Sequence, residues 1–315
     1  MSEPRRCLPL LVGVDFTSRP TRRKPITVAL GHLESGTVRL DRIESHATLD
    51  SWAAWLGAPG AWLGVFDLPF GLPRELVAAL GWPTQWPALM RHYAALSRIQ
   101  IRDTFAAFCD ARPVGAKFAH RATDAPAGSS PSMKWVNPPL AFMLHAGVPL
   151  LIAAGVEIPG RQAGDPARVA LEGYPGLLAR EVLGAGSHLH PHLYSLAPSR
   201  ANSPAHSNSG SNPRSTPRSN PRPYARSYKS DDRAKQTPER LIARIDLIDA
   251  LDRGHTRLGL RLKLSHAQRD ELIGDASGDR LDAALCLMQA AWASTRANYG
   301  LPLDIDPIEG WIVSA

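Results

Sequence analysis

The sequence predicts an α/β protein built around a buried sheet with parallel strands. Three observations point there. Leu10 to Val14 is a short apolar run that closes on Asp15, with Pro9 before it and Ser18-Arg19-Pro20 just after, leaving no room for a helix of ordinary length. Ala61 to Phe66 repeats the pattern and also closes on an acid, Asp67. Arg168 to Leu171 closes on a third, Glu172. Strands apolar on both faces belong at the centre of a sheet covered by helices.

The elements between them fit this class. Ile26 to Leu30 reads as a strand, and Gly36 to Ile43 alternates apolar and polar as a half-buried strand does. Glu34-Ser35-Gly36 is the hairpin turn joining them. Thr48 to Leu56 reads as a short helix stopped by Gly57. Such a helix crossover brings the strand ending at Asp67 into the same sheet, beside the first strand. Asp67-Leu68-Pro69-Phe70-Gly71-Leu72-Pro73 is a stiff turn. Helices are expected over 74–80, 86–96, 101–112 and 139–146, with a Gly/Ser/Pro loop over 124–132. After the strand ending at Glu172, a helix runs from Gly176 to Leu183. Thr237-Pro238 starts another with Pro at the first helical position; Leu241, Ile245, Ile248 and Leu251 mark its buried face, and Gly254 ends it. Ser265 and Gln268 form a capping-box pair. The run from Gly278 to Trp292 is apolar almost all round and reads as a buried helix.

The chain divides into residues 1–194, a Ser/Pro/Asn/Arg tract over 195–230, and residues 231–315, which complete the same domain; a helical insertion covers about 82–165. The tract cannot bury a core and is expected to be disordered. It carries six of the seven net positive charges, so the rest of the chain is close to neutral. Bulk charge is therefore poor evidence for a nucleic-acid face. His188, His190 and His192 alternate at the mouth of the tract, as a metal-binding or a solvated loop would. Cys7, Cys109 and Cys286 show no paired spacing, so neither a disulfide framework nor a zinc knuckle is expected. Trp82, Trp86 and Trp135 are expected to anchor packing, with base stacking as the alternative. No apolar run reaches membrane-spanning length, and a cytoplasmic, membrane-free protein is expected.

Chemistry is expected where the acids converge. Asp15, Asp67 and Glu172 end strands, and Asp279 and Asp282 lie three apart on one face of the last helix. Ligands of open α/β sheets sit beyond the carboxyl ends of the strands. Carboxylates gathered there repel unless a cation bridges them or some are protonated. Oxygen ligands select Mg²⁺ or Mn²⁺, and two such ions can hold the attacking and leaving oxygens of a phosphodiester displacement. Structural roles are also open: Asp279 suits the positive end of a helix dipole, and Glu172 suits an ion pair with Arg112 or Lys134.

Seven segments carry a resemblance: G-V-D-F at 13–16, D-L-P-F-G-L-P at 67–73, N-P-P at 137–139, A-G-V-E-I-P-G at 154–160, E-G-Y-P at 172–175, Y-K at 228–229 and D-R-L-D-A-A-L at 279–285. They resemble the family catalogued as domain of unknown function 429, described as predicted nucleases with a ribonuclease-H-like fold. The resemblance implies a mixed five-stranded sheet in the order 3-2-1-4-5 with helices on both faces. It also implies an arrangement similar to RuvC-type resolvases, with one acid on strand one, one ending strand four and two on the last helix. Asp15, Asp67, Asp279 and Asp282 fill those places as metal ligands, and Glu172 joins them as a catalytic candidate. Lys229 and Arg112 become the phosphate-facing cations. The long tract before Tyr228 departs from the family pattern.

The function expected is a nuclease dependent on Mg²⁺ or Mn²⁺ and acting on DNA or RNA. Two alternatives share the sheet. A phosphotransferase of the actin and sugar-kinase group carries a D-x-G-[ST] phosphate loop, but Asp15-Phe16-Thr17-Ser18 lacks its glycine. A non-catalytic nucleic-acid-binding protein would keep the fold without the chemistry.

Overall fold

The computed structural model describes residues 10–184 and 226–315. Cys7, the histidines at 188–192 and most of the Ser/Pro/Arg tract lie outside the described residues. The strands are β1 (Leu10–Asp15), β2 (Ile26–Glu34), β3 (Thr37–His46), β4 (Trp62–Asp67), β5 (Val156–Glu157), β6 (Asp165–Glu172) and β7 (Arg261–Lys263). The α-helices are α1 (Leu49–Leu56), α2 (Arg74–Ala79), α3 (Trp86–Ala94), α4 (Arg98–Asp110), α5 (Asp124–Ala127), α6 (Leu140–Ala153), α7 (Pro175–Gly184), α8 (Pro238–Arg253), α9 (His266–Gly274) and α10 (Asp279–Ser294).

The protein is α/β with one mixed sheet in the order β5-β6-β4-β1-β2-β3-β7. β1, β4 and β6 run parallel, while β2 is antiparallel to both β1 and β3. The sheet thus has seven strands rather than the five expected. The two extra ones, β5 and β7, are two and three residues long and sit at the edges, too short to leave a periodic signal.

Both faces of the sheet are covered. Along β1 and β4 the side chains alternate, so Leu11, Leu63 and Val65 meet α7, α8 and α10 on one side. Val12, Val14 and Phe66 meet α1, α3, α4 and α6 on the other. At Gly13 helix and sheet meet closely. A Cβ there would lie 2.1 Å from the Ala283 carbonyl oxygen and 2.1 Å from the Leu287 nitrogen. The missing side chain lets the α10 backbone lie directly on β1, which sets how far the acids of α10 stand from Asp15.

Several helix boundaries differ from expectation for identifiable reasons. α4 begins at Arg98, because Ser97 and Gln100 form a reciprocal capping box. A short helix, α5, occupies 124–127 within the expected loop; the Asp124 carboxylate accepts from the Arg121 amide at its start. α6 runs through Pro149 to Ala153, since Leu151 beyond the proline is fully buried. On α8, Leu241 is 41% exposed and Ile245 only half-buried; the buried face is Ala243, Leu247, Ile248, Ala250 and Leu251. Arg244 and Asp246 share that burial, so polar side chains take places the apolar period assigned elsewhere.

Trp86 is a core residue whose indole N–H donates to the Phe70 carbonyl at 2.7 Å, and Trp82 packs on His92, Tyr93 and Phe105. Trp135 leans on Phe118 and lines the main cleft. Cys109 and Cys286 are buried free thiols. Among the described residues no helix is long and apolar enough to cross a membrane.

Candidate metal centre at the carboxyl end of the sheet

β1 and β4 are parallel, and their register pairs Asp15 directly with Asp67. Residues paired across parallel strands point to the same face. That face is the one covered by α10. The helix brings Asp282, fully buried, one turn inside its N-terminus. One carboxylate oxygen each of Asp15, Asp67 and Asp282 lie within 4.8 Å of one another. Asp15 is 8% exposed, and Asp67 is half-buried.

Electrostatics at this point are unfavourable for three bare carboxylates. Burial, then Asp282, Asp279 and Asp67, push the Asp15 carboxyl well above the usual carboxylate range. Burial and the Asp282 charge push Asp67 up to about 7. Burial also raises Asp279. Two partners meet Asp282 from the segment that re-enters the described chain at residue 226. The Tyr228 hydroxyl donates to Oδ1, and the Lys229 ammonium donates to Oδ2. Burial pulls the Lys229 ammonium down, but Asp282, Tyr228, Asp15 and Asp67 together carry it well above its ordinary value. It stays charged at any working pH.

The position of Tyr228 and Lys229 is fixed by α8. Arg244 Nη1 donates to the Tyr228 carbonyl at 2.8 Å, and Arg240 Nη1 donates to the Lys229 carbonyl at 2.7 Å. Gly278, in the left-handed conformation with φ 77°, caps α10; a Cβ there would lie 2.7 Å from Lys229 Cβ. Asp279, one residue into α10, is 3.6 Å from Lys24 Nζ, which also holds Asp231 at 2.7 Å. Asp279 lines the cleft but is outside the group of three.

Glu172 does not join them. β6 pairs Phe66, not Asp67, with Glu172. One residue of offset turns a side chain to the opposite face. Glu172 therefore sits with Arg121, whose Nη2 is 2.7 Å from Oε1, and accepts from the Phe70 amide at 2.9 Å. Arg121 also holds Asp124 at 3.0 Å, and all three are essentially buried. Neither Arg112 nor Lys134 is the partner of Glu172. Arg112 pairs with Glu75, donates to the Ala116 carbonyl at 2.7 Å and does not line the cleft.

Asp15 and Asp67 line a cleft of about 1220 Å³, and Asp282 is buried behind them. Its lining includes the ends of β1 and β4 and the apolar side chains of Trp135, Pro138, Pro139 and Phe142. Tyr228 as the hydroxyl donor to Asp282, and Lys24, Arg98 and Arg121 as cations lining the cleft, were not expected from the sequence. Only the adjacency of Tyr228 to Lys229 and the i,i+3 spacing of Arg121 and Asp124 signalled anything in advance.

Compared with protein-family models, with curated proteins and with solved structures, the chain matches none.

Proposed function

We propose that the chain is a metal-dependent nuclease that hydrolyses phosphodiester bonds of DNA or RNA in this cleft. The observation that carries the reading is the convergence of Asp15, Asp67 and Asp282, with carboxylate oxygens within 4.8 Å of one another. Buried carboxylates so close are costly unless a cation is shared among them or some are protonated, and a divalent ion offsets more of that charge than Lys229 alone. An all-oxygen donor set, with no histidine or cysteine in the group, fits Mg²⁺ or Mn²⁺. The resemblance to the domain-of-unknown-function 429 family supports the same reading. On it, the consecutive strands β3-β2-β1-β4-β6 are a ribonuclease-H-like core to which β5 and β7 add edges.

Asp15, Asp67 and Asp282 would hold the ion, and when bound it supplies Lewis-acid polarisation of a phosphoryl oxygen and a more acidic water. Tyr228 orients Asp282 by donating to Oδ1. Lys229, fixed beside the three acids, offsets part of their charge and offers its ammonium to a substrate phosphate at the cleft mouth. Asp279, on the cleft wall, is placed to orient water. Glu172 and Arg112 take no part.

The test is cleavage of single- and double-stranded DNA and RNA with Mg²⁺ or Mn²⁺ by the wild type and by Asp15→Asn. Metal catalysis worth several kcal/mol translates into a loss on the order of 10³-fold, with the variant still folded by circular dichroism. Full activity in the variant would remove the metal role.

A further inference from the structure

Eight cationic side chains line the cleft, and most are already engaged. Lys24, Arg102, Arg121, Arg226 and Lys229 each hold a carboxylate. Arg180 donates to the Tyr174 hydroxyl and the Ala127 carbonyl. Arg19 and Arg98 differ. Among the described residues neither makes an ion pair. The two guanidinium groups are close enough that burial and then Arg19 lower the Arg98 pKa.

Arg98 is held in a definite pose. Its Nη2 donates to Ser18 Oγ at 2.6 Å, and its guanidinium carbon stacks 4.4 Å over the Phe142 ring. Its Nε is buried with no hydrogen-bond partner. Ser18 lies three residues beyond Asp15 on the loop leaving β1, so this pair of cations flanks the acidic group along the same cleft. Arg98, fixed in its pose and short of acceptors, with the exposed Arg19 lining the same cleft beside it, forms a site for an anion, and a planar guanidinium suits phosphate.

We infer that Arg98, Arg19 and Ser18 form a phosphate-binding subsite that seats a backbone phosphate of a single nucleic-acid strand, next to the phosphate at the acidic group. The inference deepens the nuclease reading and rests on it for the identity of the ligand. The strand is single because of what faces the subsite. Ile99 is 63% exposed, and with Trp135, Pro138 and Pro139 it gives an apolar wall. Unpaired bases offer faces to such a wall, whereas a duplex keeps them stacked inside. The near-neutral net charge of the chain outside the Ser/Pro/Arg tract also counts against tight duplex binding.

The test uses the full-length protein with Ca²⁺ and a fluorescein-labelled twelve-residue single strand, read by anisotropy over a salt series. Arg98→Met and Arg19→Met should each weaken binding about tenfold and flatten the log–log salt slope by about 0.7, the value for one phosphate on a single strand. Arg98→Lys should recover only part, lacking the planar fork. Arg42→Met, on an exposed arginine of β3 paired with Glu44, removes the same charge outside the cleft and should leave the slope unchanged. Thermal melts check folding; Arg19 is exposed, so its variant reports even where Arg98→Met is unstable. The matching duplex should compete at least about tenfold less well than the unlabelled strand. Inorganic phosphate and a mononucleotide should compete only at far higher concentration. Unchanged slopes in both arginine variants, a preference for duplex, or no strand binding at all would overturn the inference. Slopes that depend on Arg98 and Arg19, with no cleavage under any metal, would keep the subsite and sink the nuclease reading. Cleavage with an unaltered KM in both variants would do the reverse.

Discussion

Replacing Asp67 by Asn tests the electrostatic description of the site through stability alone. In the metal-free protein the Asp67 carboxyl titrates at about 7, against 3.8 in an unperturbed chain, through burial and then the Asp282 charge. The folded state therefore binds a proton that the unfolded state has already released between about pH 4 and pH 7. The sign follows: stability falls as pH rises through this window, at up to about 1.4 kcal/mol per pH unit, and levels off above it. The full shift sets a ceiling of about 4 kcal/mol, and the partial solvent contact of Asp67 brings the expected loss to about 1–2 kcal/mol. Asn resembles the protonated acid and does not titrate. Asp67→Asn should thus match the wild type near pH 4.5 and exceed its stability by about 1–2 kcal/mol at pH 7.5. Urea unfolding with EDTA at pH 4.5, 6 and 7.5 measures the difference. A variant no more stable than the wild type at pH 7.5, or a difference independent of pH, would refute the reasoning.

Three further outcomes follow from the same structure. Gly13→Ala places a methyl 2.1 Å from two backbone atoms of α10, so the helix must shift; unfolding should show a loss of about 2–3 kcal/mol, and Mn²⁺ affinity should drop because Asp282 moves with the helix. Arg121→Met leaves Glu172 and Asp124 buried without their cation, which should cost about 3–5 kcal/mol in urea unfolding; a cost below about 1 kcal/mol would show that the buried triad contributes little. Metal binding must displace protons from the raised carboxyls, so calorimetry in buffers of different ionisation heat should find more protons released at pH 6.5 than at pH 8.5.

Part of this site was readable along the chain, and physical reasons separate that part from the rest. Asp15 and Asp67 each end an apolar run of strand length, and the helix crossover between the strands makes them parallel neighbours; register does the rest. Glu172 carried the same signal but faces away, because β6 pairs it with Phe66, and a one-residue register is not written in apolar periodicity. Asp279 and Asp282 were equivalent as a spaced pair. Which of them enters the group depends on how α10 rotates against Gly13, a contact between residues 270 or more apart. Lys229 was legible only through a resemblance, since the tract before it hides its distance from the sheet; Arg240 and Arg244 of α8, donating to the Lys229 and Tyr228 carbonyls, place it. Arg121 and Arg98 lie in the helical region over 82–165, where nothing local marks a cation for the sheet end. The edge strands β5 and β7 were invisible for their length.

Mn²⁺ binding to the full-length chain at pH 8, followed by the electron paramagnetic resonance signal of the free ion, tests the shared-cation claim most directly. The wild type should show a saturable site that weakens by about tenfold or more in Asp15→Asn and again in Asp282→Asn, both still folded. Equal Mn²⁺ binding by wild type and variants, or none by the wild type, would contradict it.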